Sequence, residues 1–119
     1  MGCKISFEGD IYSYGIILLE MITGMYPTDE MFTDGMNLHK MVLSAIPHKI
    51  TEILEPSLTK DYLGEDRDHE LVELTMCTVM QLAELGLRCT VTLPKDRPKI
   101  KDVYTEIISI QSMFSALNN

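Results

Sequence analysis

Basic residues are scarce in this sequence: ten Lys and Arg stand against 18 Asp and Glu in 119 residues, a formal net charge of −8. A chain so short of cation has no stripe to neutralise phosphates, which argues against nucleic-acid binding. Cysteine is scarce too. Cys3, Cys77 and Cys89 are odd in number and share no close spacing. Neither a disulfide framework nor a zinc site is expected, and a reducing intracellular compartment fits better. His39, His48 and His69 stand singly, without the clustering a metal centre needs. Long apolar runs are also missing. The run from Ile16 to Leu19 stops at Glu20, far short of the roughly 18 to 20 residues that span a bilayer, and the amino end has no secretory-signal pattern.

What remains is 45% hydrophobic and 24% charged, the composition of an ordinary globular chain, long enough for one small domain or a piece of a larger one. The spacing predicts four main helices joined by long loops, and no strand. The first covers Asp10 to Thr23, opened by the Asp10 carboxylate and closed by Gly24, with Pro27 preventing its resumption. The second covers Asn37 to Ala45, with Leu38, Met41, Val42 and Ala45 on one face. The stretch HKITEILEPSL has room for one short helical turn, and DYLGEDRDHE (61–70) reads as a solvated acidic loop.

The third helix covers His69 to Cys89. Its two adjoining apolar stripes, Leu71–Leu74–Thr78–Leu82–Leu85 and Val72–Met76–Val79–Ala83–Gly86, imply burial on more than one side. The last covers Ile100 to Phe114, with Ile100, Val103, Tyr104, Ile107, Ile108, Gln111 and Phe114 at helical spacing, followed by a fraying tail. Cys77 and Cys89 read as buried small residues, Tyr12, Tyr14 and Tyr104 as core rings with outward hydroxyls, and Glu20 as a partly exposed carboxylate.

Three stretches in order, GDIYSYGIILLEMITGMYPTD, LAELGLRCT and PKDRPKIKDVYTEI, resemble the end of a protein kinase domain. More narrowly, they resemble plant leucine-rich-repeat receptor-like serine/threonine kinases, and the resemblance spans nearly the whole chain. It implies that residues 1–119 are a partial, all-α kinase large lobe without a sheet, holding the helices conventionally called F, G, H and I. In kinases the F helix is a buried hub, against which the catalytic loop and the helix preceding it pack. Asp10 falls where the family aspartate holds the catalytic-loop backbone. Ile17 and Met21 fall where side chains support the apolar column beneath the adenine site. Arg97, in KDRP, falls where an arginine pairs with the glutamate of A-P-E, a bidentate contact that lysine does not reproduce.

The family's cofactors are ATP and magnesium, yet these 119 residues contain no glycine-rich loop, strand lysine, H-R-D loop or D-F-G aspartate. KDRP lacks the histidine of H-R-D, and TDGMN lacks the phenylalanine of D-F-G. The chain starts just past where A-P-E would lie, so Arg97 is expected to lack its family partner. Neither catalysis nor ATP binding is expected of this chain alone. Lys99 also occupies the site where the family commonly caps the last helix with Ser or Thr, a loss of about 1 kcal/mol.

A separate signal lies at the amino end. MGCKIS fits the acylation pattern M-G-x-x-x-S/T, with Gly2 as acceptor and Cys3 available for a second chain. The alternative is that the stretch simply follows A-P-E and Met1 is an internal methionine. The expected functions are therefore three: the carboxy-terminal part of a receptor-like serine/threonine kinase, a non-catalytic interaction module, or a truncated product without selected role. Missing kinase segments or protein partners are expected on Asp10–Thr23 and Asn37–Ala45, with Leu38 and Met41 as contact residues, and self-association if the chain is isolated. The expected location is cytoplasmic, at the cytoplasmic face of the plasma membrane if acylated or part of a receptor.

Overall fold

The computed structural model describes residues 7–32, 35–64 and 68–117, and among them there is no strand. Six α-helices follow one another: α1 (Phe7–Thr23), α2 (Leu38–Ala45), α3 (Ile50–Ile53), α4 (Pro56–Tyr62), α5 (His69–Cys89) and α6 (Ile100–Leu117), with a 3-10 turn at Pro94–Asp96 before the last. The all-α expectation holds, and α5 has the bounds its spacing predicts. Asp68 caps it by accepting from the Glu70 amide at 3.2 Å. Asn37 caps α2 in the same way, its side chain accepting from the Lys40 amide at 2.8 Å.

Three bounds differ from expectation. α1 starts at Phe7, ahead of the glycine that reads as a breaker, so Asp10 lies in its first turn beside Glu8, still at the positive end of the dipole. α6 runs on to Leu117. The stretch after Pro47 holds two helices instead of one turn. Glu55 accepts from the Ser57 amide at 2.9 Å, and Pro56 sits at the first helical position, where its missing N–H costs nothing. Part of the expected acidic loop is thereby absorbed into the end of α4 and the start of α5.

The body is a slab, 57 × 36 × 20 Å, about two helix diameters thick. α5 is its spine. α1 lies against α5 so closely that glycine is required on both sides. A Cβ on Gly15 would stand 2.5 Å from Cys89 Cβ, and one on Gly86 would stand 2.7 Å from Leu19 Cδ2. Gly24, at φ +70°, ends α1 in the left-handed turn the sequence predicts, tucked against Glu55. One apolar cluster joins Leu19 and Ile22 of α1 to Leu38 and Val42 of α2, Ile50 of α3 and Ala83 of α5. A second joins Ile11 and Leu18 to Leu85, Cys89 and Val103 of α6.

The helices bury less than their patterns offer. On α6, Val103 and Ile110 are buried and Ile107 and Phe114 half-buried, whereas Ile100, Tyr104 and Ile108 face solvent. α6 meets α5 along one side only, so half of its wide apolar surface has no cover. Cys89 is buried as expected but Cys77 is not; it lies on the outer side of α5. Tyr12 and Tyr104 are exposed, against the expectation of core rings, and Tyr14 is half-buried.

Candidate functional site

α1 has two faces. Ile11, Leu18, Leu19 and Ile22 point into the clusters, while Tyr14, Ile17 and Met21, at i, i+3 and i+7, form a separate stripe. Ile17 is 50% and Met21 69% exposed, although both sit mid-helix among apolar residues. Glu20 is half-buried, as expected.

The stripe forms one wall of an open trench of about 500 Å³. Thr78 and Leu82 of α5 make the floor, and Ile107, Ile110 and Phe114 of α6 the far wall. A second hollow of about 260 Å³ shares Met21, Thr78, Leu82 and Phe114 and continues to Leu58 and Tyr62 of α4. The Tyr62 and Phe114 rings meet edge to face there, with centroids 6.1 Å apart. Among the described residues, no charged side chain lines either hollow. The hydroxyls of Thr75 and Thr78 are buried beside them without a hydrogen-bond partner.

The other singled-out residues gather at the amino end of α1. Asp10 is exposed there. Arg97 is not left idle by the lack of a family carboxylate. Its guanidinium donates to the carbonyls of Val91 (3.0 Å), Glu8 (2.8 Å) and Thr92 (3.4 Å) and lies 4.8 Å from the centroid of the Tyr12 ring. It therefore ties the loop before α6 to the first turn of α1. Gly2 and Cys3 lie outside the described residues.

Two polar links went unread in the sequence. His39 Nδ1 lies 2.6 Å from the Thr90 hydroxyl, which itself donates to the Gly86 carbonyl at 2.9 Å. With that proton committed, Nδ1 is the donor to Thr90, and α2 is fastened to the end of α5. Desolvation lowers the His39 pKa. Arg88 of α5 pairs with Glu106 of α6. Burial, opposed by Arg88 and assisted by Glu106, pushes the Cys89 thiol up to about 11. Nothing in local spacing announces pairs so far apart in the chain.

Magnesium and nucleotide do not fit this set of residues. Among the described residues no three His, Cys, Asp or Glu side chains converge, and the trench offers neither a lysine for phosphate nor a carboxylate for metal. No helix of the described residues is long and apolar enough to cross a membrane.

No family model matches the chain. Among curated proteins it is 38% identical over 114 residues to a leucine-rich-repeat receptor-like serine/threonine-protein kinase of Arabidopsis thaliana, covering 96% of the chain and 11% of that protein. A second such kinase of Arabidopsis thaliana is 34% identical over 107 residues, 90% of the chain and 11% of the relative. The receptor kinase-like protein Xa21 of Oryza sativa subsp. japonica is 33% identical over 120 residues, 98% of the chain and 12% of the relative. The chain thus spans about a tenth of the length of the curated relatives it matches.

Proposed function

We infer the role of this chain from its family: it belongs to the plant leucine-rich-repeat receptor-like serine/threonine kinases, as a stretch of the carboxy-terminal large lobe. The activity proposed for the complete protein is ATP-dependent phosphorylation of proteins in signalling, on the cytoplasmic face of the plasma membrane. Within it this chain is a scaffold and not the chemical centre. α1 is the hub helix, and the segments carrying nucleotide and catalytic groups dock on its uncovered side.

One observation carries this reading. The Tyr14–Ile17–Met21 stripe is built of core-type side chains and borders an uncharged trench that the chain's own helices leave open. Exposed apolar surface of this extent marks a place of contact. Asp10 and Arg97 flank the same end of α1, where family resemblance places contacts to the catalytic loop and the activation segment.

The test is twofold. The purified chain should show neither nucleotide binding nor phosphoryl transfer, and transfer at kinase-like rates would refute the scaffold reading. A peptide covering the catalytic loop and preceding helix of a relative should bind the chain, and Ile17→Glu should abolish that binding. Acylation at Gly2 is the membrane arm of the proposal: Gly2→Ala should release the protein from membranes, and unchanged partition removes that arm.

A second reading, partner binding through α2, rests on a different residue from the one expected. Leu38 is 1% exposed and belongs to the core, so it cannot meet a partner, whereas Leu43 is 55% exposed. Met41 is half-buried. Loss of partner capture on Leu43→Glu supports this reading, and indifference to it removes it.

A further inference from the structure

We propose that, standing alone, this chain forms a two-fold dimer in which the α1–α6 trench of each copy receives the α6 rim of the other. The inference rests on the reading above that the trench is a docking face, and it names a second copy as the occupant.

The first argument is area. A folded monomer of 13.5 kDa should expose about 6,500 Å², whereas this chain exposes 8048 Å². The excess is about 1,500 Å², more than the roughly 800 Å² that each partner gives to a standard interface. Shape makes the same point. The 20 Å dimension is the smallest of the slab, and stacking two copies across it doubles the one axis along which the body lacks an interior.

Charge selects the face. Two chains of −8 repel each other, and most pairings would set carboxylates opposite carboxylates. The trench lining carries no charge among the described residues, so pairing there leaves the acidic groups at the rims. α6 supplies the matching ridge. Gln111 and Ser115 line the trench edge, and Ile108 and Tyr104 continue the same helical row at i−3 and i−4 spacing. Both are solvent-facing on one chain. A two-fold axis places each ridge against the other's trench, so every contact occurs twice.

The experiment is sedimentation equilibrium of the complete 119-residue chain. The expected mass is twice 13.5 kDa, with a Kd on the order of micromolar, and association should tighten as sodium chloride screens the rim charges. Met21→Glu and, independently, Ile108→Lys should each weaken the dimer by about a hundredfold or more, because each enters the interface twice. Both residues are exposed in the single chain, so far-UV helicity should not change. Leu43→Glu, on exposed α2, should leave the dimer intact.

A monomer at about 100 μM, open-ended higher assemblies, or a dimer lost with Leu43→Glu but not with Met21→Glu would each overturn the proposal. The two readings fail separately. A monomer that still binds the kinase peptide sinks only the dimer, and a dimer that transfers phosphate sinks only the scaffold.

Discussion

Replacing Gly15 by alanine sets two effects of opposite sign against each other. In an isolated helix the change is favourable by about 1 kcal/mol. In this fold the new methyl would stand 2.5 Å from Cys89 Cβ, 2.8 Å from Thr90 Cγ2 and 3.0 Å from the Gly86 carbonyl. Carbon pairs prefer about 3.5 to 4.0 Å, so α1 and α5 must separate by about 1 Å. A gap of that size forfeits a quarter to a half of each dispersion contact along the crossing, and overpacking of this kind typically costs about 1 to 3 kcal/mol. Cys89 Cβ and the Gly86 carbonyl are close to or part of the backbone and cannot swing away, which places the cost at the upper end.

The net expectation for Gly15→Ala is destabilisation by about 2 kcal/mol, a large part of a domain's usual margin of about 5 to 15. Urea unfolding followed by circular dichroism should show a lower midpoint with an unchanged slope. Cys89→Gly in the same chain removes the nearest carbon and should return part of the loss relative to Cys89→Gly alone. A Gly15→Ala protein as stable as its parent would mean that helix propensity decides the outcome and that α1 and α5 do not meet at these residues.

Other outcomes follow from the same coordinates. Arg97→Lys keeps the charge but cannot serve three carbonyls from one fork, and should lower stability by about 1 kcal/mol, or roughly 4 °C in Tm; an unchanged melt would show the carbonyl contacts to be idle. His39 has a folded pKa below its model value of 6.5, so the unfolded chain binds the proton more readily. Its contribution is therefore present above pH 6.5 and lost as pH falls towards the folded pKa; urea midpoints across that window should show a slope that His39→Gln reduces. Cys77 is exposed and Cys89 buried with a raised pKa, so native alkylation read by mass spectrometry should label Cys77 and spare Cys89 until urea is added. Equal labelling would place the carboxy end of α5 outside the core.

Where a local signal existed, the sequence was readable. Asp68 and Asn37 fix the starts of α5 and α2 because a short polar side chain just before an apolar run has one obvious use. The same habit misled at Pro56, which reads as a break but begins α4. Periodicity revealed that α6 is apolar over a wide face, but not which half another helix would cover. Tyr104 and Ile108 therefore read as core, while Ile110 was overlooked. At the candidate site, kinship singled out Ile17 and Met21, and both are at the exposed stripe. The partners of Arg97 were not readable. The Glu8 carbonyl it grips lies 89 positions away, and any residue there presents the same backbone oxygen.

The thinness of the body bears on how it would exchange hydrogen with solvent. In a plate 20 Å deep, nearly every amide sits within one side chain of bulk water, and a local breath is enough to wet it. The middle of α5, from Thr75 to Cys89, is flanked by α1 on one side and α6 on the other. Deuterium should enter that stretch last. α6, covered along one flank, should take it up early, so the molecule would loosen from its edges inward.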